Sequence, residues 1–372
     1  MAEAGPDLLA AVATFGLGSD LEGLPTPPEG EWRRTLGRLT FQRLTGLAVA
    51  AAQAGALQLA PERWVELLRA HREAMAHCLT LERTLLEVTA ALEGEGVAGV
   101  VLKGPALAHT AYPDPSWRPF GDLDLLVPVS QWETACATLR GLGFLRVYPE
   151  PRPGFVVRFG HTALHRNPEG VELDLHRTLI AGPFGQWIDP GDLFRGTVPF
   201  TLGGHTLRRL GDTARFLHAC VHAALGFAPP LLLPLRDVAQ TAHAGSVDWE
   251  LAASLARKWR IAAVVGFALR AVRETLGVPP PAGAQALMDL PVERRQRRAL
   301  SACVGPRRFR GGPAVETLRA IPSLRLKAAY LRALLLPSRE FLAARVPWGR
   351  RPGYLTRWRT PLRWLRRAVD RA

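Results

Sequence analysis

Two hydrophobic periods alternate along the chain. Over residues 31–93, in EWRRTLGRLTFQRLTGLAVAAAQAG and PERWVELLRAHREAMAHCLTLERTLLEVTAALEGEG, apolar positions recur three and four apart, the spacing of helices that bury one face. Pro61 stands where it can open the second of these stretches. The period then shortens. VAGVVLKG (97–104) is a β-branched run ending in glycine and predicts a strand, followed by a helix-like PALAHTAY and the loop PDPSW. DLDLLVPV predicts a second strand, and SQWETACATLRGLGF predicts an amphipathic helix with Ser130 as its N-cap. FLRVY, GFVVRFGHTALHR and VELDLHRTL predict three further extended segments, so a compact sheet module of α/β or α+β type is expected from residue 97 to about 180. From 212 to 277 the helical period returns, with Asp212 and Asp248 at N-cap positions and the prolines at 279–281 closing the bundle. The remainder is rich in arginine with scattered Pro and Gly and predicts no particular element; no internal repeat is visible.

Composition places these elements in a globular protein. With 372 residues, 48% of them hydrophobic and 22% charged, the chain can bury a large core, and its length suggests two or three domains. The N-terminal MAEAGPDLLAAVATFG carries acids where a secretory signal carries a basic segment, and no stretch reaches the roughly 18 apolar residues of a membrane span. A cytoplasmic location is the expectation. Cys78, Cys136, Cys220 and Cys303 are far apart and form no CxxC pair, which argues against a disulfide framework or a zinc knuckle and predicts small buried hydrophobes. Charge is unevenly placed: residues 291–372 hold 21 basic and 4 acidic side chains, +17, leaving −3 for the first 290. Such asymmetry fits a nucleic acid or other anionic partner at the basic C-terminal region. A solvated basic face fits equally, because only three of the 47 basic residues are lysines and the excess of arginine is general.

Candidate chemistry centres on WRPFGDLDLLVP. In a strand, residues two apart project from one face, so Asp122 and Asp124 point together while leucines alternate with them. Two neighbouring carboxylates repel and burial raises the cost, which a divalent cation relieves; Mg²⁺ takes carboxylate oxygens and keeps sites open for phosphate. The competing reading is a pair of aspartates capping a turn beside Gly121 and facing water. Some fifty residues on, VELDLHRTL alternates Glu172, Asp174 and His176 with apolar residues. Two such strands could supply the three carboxylates of a two-metal phosphoryl-transfer site. Upstream, LKGPALAH makes a strand-to-helix turn able to hold phosphate, with Pro105 tolerated at a first helical turn and Lys103 either neutralising phosphate or ending a strand in solvent.

VVLKGPALAHTAYPDPSWRPFGDLDLLVP resembles the signature of an uncharacterised nucleotidyltransferase family within the polymerase-β-type superfamily: an LKG turn, a Tyr-Pro, an Arg and a G-D-x-D-x-L-V strand in this order. ELDLH is similar to that family's third-carboxylate strand, and FLHACVHAAL, LRDVAQ and the DW helix start to its helical half, so the likeness spans roughly residues 85–345. The resemblance implies an α+β fold with a small mixed β-sheet nucleotidyltransferase core (96–205), flanked by an N-terminal helical segment (1–95) and a C-terminal helical domain (206–290), before the basic region (291–372). It implies that Asp122, Asp124 and Asp174 hold Mg²⁺, with Asp174 also the base, and that Gly104 helps cradle the triphosphate; Lys103, Arg118 and Gly121 beside these motifs are the further candidates for the NTP site. The wider superfamily carries Gly-Ser or Gly-Gly where this chain has Lys103, Gly104 and Pro105, a departure that bears on the triphosphate grip.

Other features carry less. His218 and His222 have the spacing of a zinc pair but lack HExxH and a third ligand, which favours packing. His109, His161 and His165 could face the cleft, and His176 shares a face with Asp174. Arg118 fits either a phosphate contact or a structural salt bridge. The terminal RWRTPLRWLRRAVDRA suggests an amphipathic basic helix for anionic lipid or nucleic acid, or an anchor against the domain. Two functions follow: an enzyme moving a nucleoside monophosphate from an NTP to a small molecule, a peptide or protein, or an RNA end; or a catalytically inactive nucleotide-binding protein whose basic tail docks nucleic acid or a partner.

Overall fold

The structure, a computed structural model, describes residues 7–18, 24, 29–227, 229–304 and 311–344. The fold is α+β. Four helices come first, α1 (Leu8–Thr14), α2 (Trp32–Phe41), α3 (Thr45–Gln53) and the 34-residue α4 (Pro61–Gly94), and Pro61 sits in the first turn of α4 as its spacing predicts. The middle of the chain holds β1 (Val100–Val101), α5 (Pro105–Ala111), β2 (Leu123–Leu126), α6 (Trp132–Gly141), β3 (Leu145–Arg146), α7 (Phe155–Phe159), β4 (Thr162–Arg166), β5 (Glu172–His176), α8 (Gly182–Trp187), α9 (Pro190–Arg195), β6 (Thr197–Leu202) and β7 (His205–Leu210). A bundle follows, α10 (Asp212–Leu225), α11 (Leu232–His243), α12 (Trp249–Lys258), α13 (Ala262–Leu276) and α14 (Ala282–Met288). Last come α15 (Arg294–Val304), α16 (Gly312–Ala320), α17 (Leu324–Leu335) and α18 (Arg339–Ala343). The terminal RWRTPLRWLRRAVDRA lies outside the described residues.

The seven strands form one mixed sheet in the order β3-β4-β5-β2-β1-β7-β6. β2 runs parallel to β5 and antiparallel to β1, and β7 adds parallel to β1. Alternation along β2 and β5 sends Leu123, Leu125, Leu173 and Leu175 to one face, where Val127 joins them and Cys78, Leu81, Leu85, Val88 and Leu92 of α4 cover them. Those α4 residues recur three and four apart, so one helical stripe closes one sheet face. The other face looks toward the bundle, whose apolar cluster around Phe216 and Trp259 also takes in Leu9, Leu47 and Leu67 of the N-terminal helices and Leu126 of β2.

Several local expectations need correction. Ser130 lies inside a 3₁₀ turn (Val129–Gln131); Gln131 precedes α6, and its amide bonds Ala98 N–H and Gly96 C=O instead of capping the helix. Asp212 is the first residue of α10, not its N-cap, and is held by Arg209 and Arg215. Asp248 does cap α12, accepting from Leu251 N–H. The first part of GFVVRFGHTALHR is helical (α7), because Glu150 accepts from Phe155 N–H and caps that turn. The β6–β7 hairpin carries the sheet to Leu210, past residue 205. Of the cysteines, Cys78 and Cys220 are buried and Cys136 and Cys303 half-buried, all as free thiols.

Candidate functional site

Parallel pairing of β2 with β5 sets Asp124 opposite Asp174 and Leu126 opposite His176, so the acids of two distant segments share one face in register. Asp124, Asp174 and His176 each offer a ligand atom, and these atoms lie within 4.8 Å of one another. No other such grouping of three occurs among the described residues. Asp122 precedes β2 and stands slightly apart, its side chain 37% exposed and 3.5 Å from Arg43 Nη1. Of the expected trio the structure groups Asp124 and Asp174, with His176 rather than Asp122 as the third member.

Charge around the acids is balanced by the chain itself. Asp124 is buried, and Lys103 Nζ and His176 Nε2 both reach its Oδ1 at 2.9 Å. Burial pushes the Asp124 carboxyl up, but the Lys103 ammonium and the His176 ring outweigh it and hold the group well below the usual carboxylate range. Asp174 goes the other way: burial, reinforced by Asp124 and Asp122, raises it, although the His176 ring and the Thr162 hydroxyl, which donates to Oδ1 at 3.0 Å, oppose the shift. Asp124 Oδ2 and Asp174 Oδ2 are left without a protein hydrogen bond among the described residues. Lys103 stays protonated; burial works against its charge, but Asp124 and Asp122 raise its value overall. Of the two readings of Lys103, a phosphate contact or a strand end in solvent, the second does not hold: its side chain is mostly buried, pairs with Asp124 and lines the cavity beside it.

The LKG turn is built around Gly104, whose φ of +49° and ψ of −117° suit glycine alone. Pro105, which has no N–H, opens α5, and Ala106 and Ala108 N–H are bonded to the carbonyls of Lys103 and Gly104. Arg118 is the structural salt bridge of its two alternatives: Nε and Nη2 donate to the two oxygens of Asp237 at 2.7 Å, both side chains being buried. Tyr112 donates to the same Asp237 at 2.7 Å. Three segments of the recurring signature, Tyr-Pro, the Arg and LRDVAQ, therefore meet to lock α11 against the connection between α5 and β2. Gly121 leaves room for Arg43, whose Nη2 would stand 2.6 Å from a Cβ placed there.

A cavity of about 330 Å³ opens in front of Asp122 and Asp124, lined also by Lys103, Gly104, Arg43 and Arg118 on its polar side and by Phe41, Phe120, Phe227, Leu231 and Leu233 on its apolar side; Asp174 and His176 are not among its lining residues. Phe41 and Phe227 are exposed at its mouth. Arg43, Phe41 and Phe227 escaped the reading of the sequence. The only trace of Arg43 is the break it makes between two helices that read as one, and nothing marks the two phenylalanines. The histidines divide. His109 bonds Glu82 of α4 at 2.6 Å, and His165 lies on the opposite face of the sheet from Asp174, facing its own Ala163 carbonyl. His161 meets the His176 ring edge-on, with burial pushing it down to about 3. His218 and His222 meet edge to face along α10, and burial lowers both, His218 to about 3.

A mixed sheet that brings carboxylates of two parallel strands together beside a glycine turn and a polar cleft is the arrangement of a nucleotidyltransferase fold. The chain belongs to the family described as uncharacterised nucleotidyltransferase, whose profile matches residues 28–277. A solved structure of an antigenic nucleotidyltransferase-like protein from Paracoccidioides brasiliensis is similar at 12% identity and a TM-score of 0.32, covering 62% of this chain and 95% of that one. No curated protein matches the chain. Among the described residues no helix is long and apolar enough to cross a membrane.

Proposed function

We propose that this protein is a Mg²⁺-dependent nucleotidyltransferase that moves a nucleoside monophosphate from an NTP to an acceptor and releases pyrophosphate. The observation that carries the reading is the register of Asp124 with Asp174 on adjacent parallel strands, with His176 completing a set of ligand atoms within 4.8 Å. The donor set fits a hard divalent cation: two carboxylates, Asp124 and Asp174, each with one oxygen not engaged by the protein, and a third, Asp122, which lines the cavity together with Asp124. A cation held there supplies charge neutralisation at the α-phosphate. Asp174, held above the usual carboxylate range by burial, is suited to take the proton of the acceptor hydroxyl or amine as its oxygen or nitrogen bonds phosphorus and pyrophosphate leaves. Thr162 fixes the orientation of Asp174. The apolar walls at Phe41, Phe120 and Phe227 offer a base a place out of water.

One observation favours a second reading. Lys103 on Asp124 and Arg43 near Asp122 already offset two of the acids, as they would in a nucleotide-binding protein without catalysis that presents its basic C-terminal region to nucleic acid or an anionic partner. Incubation of the full chain with each α-labelled NTP, Mg²⁺ and a cell extract separates the two. Label entering a new product with wild-type protein, but not with Asp124→Asn or Asp174→Asn, supports transfer. Nucleotide binding with no pyrophosphate release supports the second reading.

A further inference from the structure

Three cationic side chains line the cavity: Arg43, Lys103 and Arg118. Two of them are engaged, Arg118 by both oxygens of Asp237 and Lys103 by buried Asp124. At the glycine turn Pro105 has no N–H to offer, and Ala106 N–H is bonded back to the Lys103 carbonyl. Arg43 differs from both. Its contact with Asp122 is long, 3.5 Å, and the two side chains are 47% and 37% exposed, a solvated pair of little strength. Its place is set by the end of α2, where Arg43 N–H bonds the Thr40 carbonyl and Leu44 N–H the Leu39 carbonyl, a closure that Arg260 repeats at the end of α12. Arg43 has a φ of +56°, the left-handed region that penalises any residue with a Cβ, in the connection between α2 and α3. Gly121 complements it, because a Cβ there would stand 2.6 Å from Arg43 Nη2.

We propose that Arg43 grips the polyphosphate of the incoming NTP, doing what the LKG turn of this chain does not; the proposal rests on the nucleotidyltransferase reading above. A guanidinium presents paired N–H groups that match phosphate oxygens. This one stands at the rim of the acid cluster with its charge the least committed of the three. The N-terminal helices thereby contribute directly to the nucleotide site.

Isothermal titration of the full chain with Mg²⁺ and, in turn, inorganic tripolyphosphate, the four NTPs and the four nucleoside monophosphates tests this. Wild type is expected to bind its preferred NTP more tightly than the matching monophosphate. Arg43→Gly is expected to raise the Kd for that NTP and for tripolyphosphate roughly 10- to 100-fold while changing the monophosphate little, with a melting temperature equal to or above wild type because the backbone strain is relieved. Arg43→Lys should recover part of the loss, and Gly121→Ala, which displaces the guanidinium and leaves residue 43 intact, should weaken NTP binding in the same direction. Arg43→Gly binding NTP as wild type does, or losing NTP and monophosphate equally, overturns the role of Arg43 and leaves the nucleotidyltransferase reading standing. Wild type binding none of these ligands overturns both.

Discussion

On one face of the β2–β5 pair, Leu123, Leu125, Leu173 and Leu175 are fully buried against α4 and its neighbours. On the other face, from the same residues' neighbours in the same register, Asp124, Asp174 and His176 are gathered. Each leucine adds about 2 kcal/mol by leaving water, whereas a carboxylate moved inward costs stability unless it is paired. The two-residue period of a strand lets stability and chemistry occupy opposite sides of one backbone. The apolar face can then support an acidic face that does little for the fold. Within the acidic face the division repeats: Asp124 is held low by Lys103 and His176, whereas Asp174 is held high by burial and the neighbouring acids.

The largest effect expected is on activity. Asp174→Asn should lower nucleotidyl transfer by about 10³-fold or more, on the order of 4 kcal/mol in the barrier, while urea denaturation shows stability equal to or above wild type, since a carboxylate with a raised value opposes folding at neutral pH. Leu125→Ala, one residue away on the opposite face, should do the reverse: a loss of about 2–5 kcal/mol in stability, with kcat per folded molecule unchanged. Lys103→Met leaves Asp124 buried with His176 alone, and because Lys103 is 16% exposed the expected cost is about 2 kcal/mol, read from the urea midpoint. The smallest effect is with pH. Asp124 is depressed in the folded state, so its contribution is full above the unfolded value of about 4 and is lost as pH falls below that toward the folded value. Thermal melts of the metal-free protein between pH 7 and pH 3 should show a loss on the order of 1 kcal/mol that Asp124→Asn does not show. A comparison in which Asp174→Asn and Leu125→Ala behaved alike would break the division between the faces.

Much of this division was legible in the chain. DLDLL and ELDLH alternate acid and leucine so regularly that one face of each strand had to be acidic, and both became strands. Their mutual register was not legible. It depends on the crossover through α6, β3, α7 and β4, whose packing is set by contacts far apart in sequence. The β6–β7 hairpin carried a signal in TVPFTLGGHTLRRL, two alternating runs around a Gly-Gly turn whose residues have φ of +54° and +82°. Arg118 could be read as phosphate contact or salt bridge because an arginine in a loop looks the same in sequence either way, and Asp237, its partner, lies 119 residues downstream. Lys103 looked free to meet phosphate until the turn at Gly104 set it over Asp124. Asp124, the most deeply buried acid, is therefore offset by Lys103 and the His176 ring without a cation, whereas burial and its acidic neighbours still hold Asp174 high.

Whether the acid pair nonetheless binds a divalent cation is best asked with Mn²⁺, which prefers the same oxygen ligands and is read directly by electron paramagnetic resonance. Titrated into the full-length chain, Mn²⁺ should bind wild type, and Asp124→Asn and Asp174→Asn should each weaken that binding by at least about tenfold, some 1.4 kcal/mol. Equal binding by all three proteins, or none by wild type, would contradict the account.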